Sequence, residues 1–219
     1  TFTGTGVVGN TFDPTSVSVG NYNVTYTIPG STGNYAYSAI SYSPRPTGGN
    51  FVSLGDDQMS TAVPIGFNFD FYGVNYSQFE ISSNGFISFN LGTFQNGCCS
   101  GGFLPQAFGP TNIIAAAWED LYPPGGGSIS YNTTGAPGSR VCVISWDIPH
   151  YSGGYGYFNV TTQIHLYEGS NIIQIHTSQM NSDGGLHTQG IQDGSGTLAV
   201  TTPGRNSTSW NAFNDGVQF

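Results

Sequence analysis

The sequence predicts an all-β protein built as a two-sheet antiparallel sandwich, and three observations carry that prediction. Large apolar residues alternate with polar or small ones, with Ile65, Phe67, Phe69 and Phe71 set against Gly66, Asn68, Asp70 and Tyr72. Turn residues punctuate the alternating runs, as at Gly73 and at Ser83-Asn84-Gly85. Aromatic residues make up 14% of the 219, too many for a disordered Gly/Ser-rich segment.

The elements follow in order. Residues 1–30 read as an arm of short β segments around an Asp13-Pro14 turn, with Tyr22, Val24, Tyr26 and Ile28 alternating with Asn23, Thr25 and Thr27. An isolated hairpin is marginal in water, so this arm is expected to order on a sheet edge of its own chain or of a neighbour. Residues 31–50, rich in Pro, Gly and Ser, are the expected linker, and residues 51–219 the sandwich module. Strands are expected over Ile65–Tyr72, around Phe79 and Ile81, and over Phe86–Phe89. A long loop at 90–111, with Phe94, Phe103, Phe108 and two cysteines, is expected to be pinned down. Asn112–Leu121 has helix-forming residues, but its Ile-Ile start and Pro123-Pro124 stop leave room for barely two turns. It therefore reads as a buried strand ending at Trp118. Ile129–Tyr131 and Val141–Trp146 follow. Thr162–Thr177 is a hairpin in which a Gly169-Ser170 turn sets Ile164 opposite Ile175 and Leu166 opposite Ile173 on the core face. The same register sets His165 opposite Gln174 and Gln163 opposite His176 on the outer face, as a polar surface stripe. The last strands lie near Gly190–Gln192, Thr197–Val200 and Asp215–Phe219.

Charge narrows the function. Only 7% of residues are charged, the net charge is -9, and the three basic residues are Arg45, Arg140 and Arg205. Nucleic acid binding needs clustered cations and is excluded as an expectation. No apolar run is long enough to insert into a membrane as a helix. Solubility that rests on Asn, Ser, Thr and Tyr in place of charge is the profile of secreted and cell-surface β proteins. The start at Thr1, without a methionine, reads as a piece of a longer precursor.

The three cysteines leave two pairings open. Cys98 and Cys99 bridge each other, with Cys142 a small buried apolar residue, or one of the pair bridges to Cys142; the vicinal bridge is the slightly favoured expectation.

Asp56-Asp57 precede a strand and Glu119-Asp120 follow one, so the four carboxylates are expected to meet at one end of the sandwich and offer a calcium site. Against this stands their reading as solvated loop acids, and no D-x-D-x-D-G loop is present. No other cofactor is expected. HYSGGYGYF (His150–Phe158) groups Tyr151, Tyr155 and Tyr157 in a Gly-rich loop. With Tyr22 and Tyr26 of the arm, these are the expected contacts to a partner or glycan, since tyrosine gives amphipathic area at low entropic cost. No catalytic residue is assigned, because no nucleophile, base and acid stand at a recognised spacing; Glu80 reads as an outward, solvated mid-strand residue.

Two resemblances add to this. GTGVVGNTFDP followed by VGNYNVTYT resembles the last strands of immunoglobulin-like repeats in very large surface adhesins of gliding bacteria. The succession LGDDQMSTAVPIGFNFDFYG, ISSNGFISF, GCCSGG, NIIAAAWEDL, VISWDIPHY and PGRNSTSW, over residues 35–219, is similar to a nidogen-like β-sandwich module of long proteins exported by type IX secretion. It implies an immunoglobulin- or jelly-roll-like sandwich at the bacterial cell surface or outside the cell, acting in adhesion or matrix, with no reaction. The expected function is a non-enzymatic module of a cell-surface adhesin or extracellular filament. Its partners would be neighbouring modules or identical subunits, met through loops and strand edges. A carbohydrate-binding module that recognises surface glycans, with or without calcium, is the alternative.

Overall fold

The computed structural model describes residues 2–8, 11–23, 25–26, 35–93, 95–151 and 159–219, with 2–3 and 25–26 described by backbone alone. The chain divides into two compact units, Thr1–Asn34 and Tyr35–Phe219.

In the first unit, β1 (Phe2–Thr3), β2 (Val7–Val8), β3 (Thr11–Phe12) and β4 (Thr25–Tyr26) form two small antiparallel pairs, β1 with β4 and β2 with β3. Asp13 caps the short 3-10 turn Pro14–Ser16, its carboxylate accepting from the Thr15 amide and hydroxyl at 2.9 and 2.6 Å. The expected Asp-Pro turn is therefore present. Of the expected alternation through Ile28, Thr25–Tyr26 is strand among the described residues, and Val24, Thr27 and Ile28 lie outside them.

Among its described residues the second unit is strand and turn, with one short 3-10 turn at Pro123–Gly125. Its first strands are β5 (Ser38–Ile40), β6 (Asn50–Val52), β7 (Val63–Phe71), β8 (Val74–Ile81) and β9 (Phe86–Ser88). Then come β10 (Ile113–Trp118), β11 (Ser128–Thr134), β12 (Val141–Pro149) and β13 (Asn159–Tyr167). The chain closes with β14 (Ile173–Met180), β15 (Thr188–Gln192), β16 (Ala199–Thr201) and β17 (Ala212–Gln218). They build a six-stranded sheet, β16-β15-β10-β9-β8-β7, and a seven-stranded one, β5-β17-β14-β13-β12-β11-β6, antiparallel at every described pairing.

The two sheets close over one core. The alternation in β7 puts Ile65, Phe67, Phe69 and Phe71 inward, at 0–6% exposure. They meet Ile144, Trp146, Ile164 and Ile175 in one buried cluster drawn from both sheets. Removing one such side chain from water stabilises the fold by about 1.5–3 kcal/mol. Strand β10 lies between β9 and β15 and is buried along its whole length, because both its faces are covered. That is why an IIAAAW segment, helical by propensity, is a strand here. The Ser83-Asn84-Gly85 turn fits against β10 closely: Gly85 has φ +77°, and a Cβ there would stand 2.3 Å from the Ala117 carbonyl oxygen.

The expected hairpin register is borne out between β13 and β14, with Ile164 opposite Ile175 and Leu166 opposite Ile173, and with His165 opposite Gln174. Its outer face differs from the expectation. Residues 35–50, expected as linker, belong to the second unit: β5 pairs with β17, and the segment after it crosses the outer face of the seven-stranded sheet. Tyr42 meets Ser178, the Ser43 amide donates to His176 Nδ1 at 3.2 Å, and Arg45 and Gln163 exchange two bonds of 3.0 and 2.9 Å. Gln163, His165 and His176 are consequently buried instead of forming a surface stripe. The histidine rings lie 4.6 Å apart. Burial, then His176 and Arg45 beside it, pushes His165 down to about 3, and burial with Arg45 lowers His176 despite the opposing Asp215.

Glu80 is another correction. It is 6% exposed, and its Oε1 accepts the Gly92 amide at 2.8 Å, holding the start of the long loop. Cys98 and Cys99 are bridged to each other and Cys142 is a free buried thiol, pushed up to about 12 by burial. No helix among the described residues is long and apolar enough to cross a membrane.

Candidate functional site at the acidic end of the sandwich

The Ser83-Asn84-Gly85 turn organises one end of the sandwich. Asn84 is fully buried, and its amide nitrogen donates to Asp57 Oδ1 at 2.8 Å and to the Asn96 carbonyl at 3.2 Å. Its side-chain oxygen accepts the Leu121 amide at 3.0 Å. Three segments far apart in sequence are thereby drawn together: the Asp56-Asp57 loop, the long loop and the segment leaving β10. Further bonds fix the Asp57 loop from both sides. Gln58 exchanges backbone and hydroxyl bonds with Ser83 at 2.8 and 3.0 Å, and Asn96 donates to the Asp57 carbonyl at 2.7 Å.

This framework brings carboxylate oxygens of Asp56, Asp57 and Asp120 within 4.8 Å of one another, all three half-buried or exposed. Three of the four expected calcium ligands therefore converge. Like charge accumulates there: burial, then Asp57, Asp56, Glu119 and Asp183, pushes Asp120 up to about 6, and burial with Asp57 raises Asp56. A divalent cation relieves such repulsion, and carboxylate oxygens are what calcium takes. The sulfurs of Cys98 and Cys99 also stand near Asp57, but as a disulfide they offer no thiolate.

Glu119 does not join this group. Successive residues of an extended chain point to opposite sides, so Glu119 turns inward where Asp120 turns outward. The pairing of Trp118 with Thr188 sets Glu119 beside His187, and the bridge between Leu121 and His150 brings in the second histidine. Glu119 Oε2 stands 2.6 Å from His150 Nδ1 and 3.0 Å from His187 Nδ1, with all three side chains at most 8% exposed. Burial opposes a proton on His150, yet Glu119 and Asp183 hold its pKa above the ordinary value.

One family model matches this chain, described as NIDO related, over residues 25–217. The chain belongs to the NIDO-related family. No curated protein matches it, and no solved structure does.

The expected contact tyrosines of this NIDO-related domain divide three ways. Tyr151 is 52% exposed, stacks edge-on against Tyr122 at 5.1 Å, and donates its amide to the Asp120 carbonyl, so it stands beside the acidic end. Tyr155 and Tyr157 lie outside the described residues, as does the side chain of Tyr26. Tyr22 folds back within the first unit, its hydroxyl donating to the Ser18 carbonyl at 2.7 Å and its ring near Phe12. Sequence reasoning missed Asn84, Asn96, His187 and Asp183. Only Asn84 carried a local signal, through its turn.

Proposed function

We propose that this NIDO-related chain is a non-enzymatic module of a secreted bacterial surface adhesin or filament, and that its acidic end takes calcium and forms the contact surface. The convergence of Asp56, Asp57 and Asp120 on loops held by a rigid sheet framework supports the reading. Calcium would neutralise the repulsion among these acids and complete the end of the sandwich with its loops. Export by type IX secretion belongs to the same reading, resting on the family and on the resemblance of residues 35–219.

Calorimetric titration with calcium of the wild type and of D57N tests it, together with light scattering in calcium and in chelator. The expected result is calcium binding that D57N weakens and association that chelator reverses. Absence of heat with the wild type would remove the calcium site.

A specific observation favours a second reading, a calcium-dependent carbohydrate-binding module. The pair of exposed Tyr151 and half-buried Tyr122 sits directly beside Asp120, and aromatic faces next to acids suit a sugar ring. A glycan array in calcium and in chelator separates the readings: calcium-dependent glycan signal lost in Y151A supports sugar recognition, and a blank array leaves protein contact.

A further inference from the structure

The pair of acids next to the calcium-type cluster has a different chemistry. Glu119, Asp183 and His187 each offer a donor atom, and these lie within 4.8 Å of one another. Glu119 and His187 are each 1% exposed, and both carboxylate oxygens of Glu119 and the Nδ1 of His187 lack a hydrogen-bond partner. The close approach of Glu119 Oε2 to His187 Nδ1, 3.0 Å, is thus not aligned as a hydrogen bond. Glu119 Oε2 also faces His150 Nδ1 at 2.6 Å, again without hydrogen-bond alignment, and a buried carboxylate and imidazole nitrogens left without aligned bonds are costly unless a positive charge lies among them.

We propose that Glu119, Asp183 and His187 bind a zinc-class divalent metal ion. Imidazole nitrogen selects zinc and its first-row neighbours over calcium, which prefers oxygen alone. Zinc ligands stand about 2.0–2.2 Å from the metal, so donors around one ion lie within about 4.4 Å of each other. Glu119 Oε2 and His187 Nδ1, 3.0 Å apart, already lie within that spacing.

The surroundings fit. Ser182 Oγ stands 2.9 Å from His187 Nε2 and 2.7 Å from Ser209 Oγ, and accepts the Gly184 amide at 3.0 Å. With Nε2 donating to Ser182, the Nδ1 lone pair is free for the metal, the arrangement that orients ligating histidines. The His187 backbone is fixed by mutual bonds with Thr208 and by Trp210 Nε1 donating to its carbonyl. His150 Nδ1, 2.6 Å from Glu119 Oε2, is a positioning residue beside the carboxylate. Asp183 Oδ1 lies 3.5 Å from His187 Nε2 and 24% of its side chain is exposed, so it is the accessible ligand that swings toward Nδ1 to join Glu119 at the ion.

The test is titration of the metal-free full chain with zinc alone, followed by calorimetry, and with cobalt(II), followed by its visible absorption. The expected result is one equivalent of zinc bound, a raised melting temperature, and cobalt bands of a site with nitrogen and oxygen ligands. E119Q and D183N should each weaken zinc at least about 10-fold, while D57N should leave it unchanged. D183N alters an accessible loop residue and keeps the test valid should E119Q fail to fold. No zinc bound by the wild type, equal binding by D183N, or loss in D57N matching that in D183N would overturn the proposal.

Discussion

Mild acid should loosen the second unit through His165, and the size of the effect follows from its burial. At about pH 5 an unfolded-state histidine, with its ordinary pKa near 6.5, is almost fully protonated. Folded His165, pushed down to about 3, remains neutral there. The unfolded state then binds more protons, so stability must fall as pH falls. The contribution is whole above about pH 6.5 and is lost progressively toward the folded value. Between about pH 7 and pH 5 the loss is about 2 kcal/mol for this one side chain. His176, lowered for the same reason, adds to it. Asp120, raised to about 6, works in the opposite direction, so total stability is not the readout. The readout is the difference between the wild type and H165Q, whose glutamine cannot titrate. Urea unfolding followed by the fluorescence of the buried tryptophans, Trp118, Trp146 and Trp210, gives both. The wild type should lose about 2 kcal/mol more than H165Q between the two pH values. Equal losses, within about 0.5 kcal/mol, would refute the claim that the 41–48 segment seals a neutral histidine.

Three further outcomes are expected. G85A should destabilise by about 2 kcal/mol or more, read as a lowered urea midpoint, because a Cβ meets the Ala117 carbonyl at a positive φ. Iodoacetamide should leave the native protein unlabelled, label Cys142 alone in denaturant, and label all three cysteines once reductant is added, as the vicinal bridge requires; three labels without reductant would contradict the bridge. Deletion of residues 1–30 should reduce self-association in size-exclusion chromatography if the arm joins a neighbouring sheet edge, and an unchanged profile would remove the arm as an assembly element.

Much of the sandwich was legible because period-two alternation is a local signal. Ile65 to Phe71 declared their inward face, and Ile164, Leu166, Ile173 and Ile175 fixed a register without any tertiary information. The same alternation shows only that His165 points away from the core. What covers it depends on a segment more than 100 residues earlier, whose Pro/Gly/Ser composition reads as a linker. The acidic end was half legible. Asp56, Asp57 and Asp120 were foreseeable as strand-end acids, and the separation of Glu119 from Asp120 was readable in principle, since neighbours in an extended chain diverge. The histidine partners of Glu119 were not, because His150 and His187 reach it through pairings with no sequence spacing to betray them.

The pairing of β5 with β17 has a mechanical meaning. Ser38 lies opposite Gln218 and Ile40 opposite Gly216, so the start of the unit and its last strand leave the sheet at the same end. A load applied between residue 35 and residue 219 would open this ladder like a zipper, one hydrogen bond at a time, in place of shearing all of its bonds together. The next structure to take the force would be the segment over His165 and His176. Under tension, the unit would open next where it is also sensitive to protons.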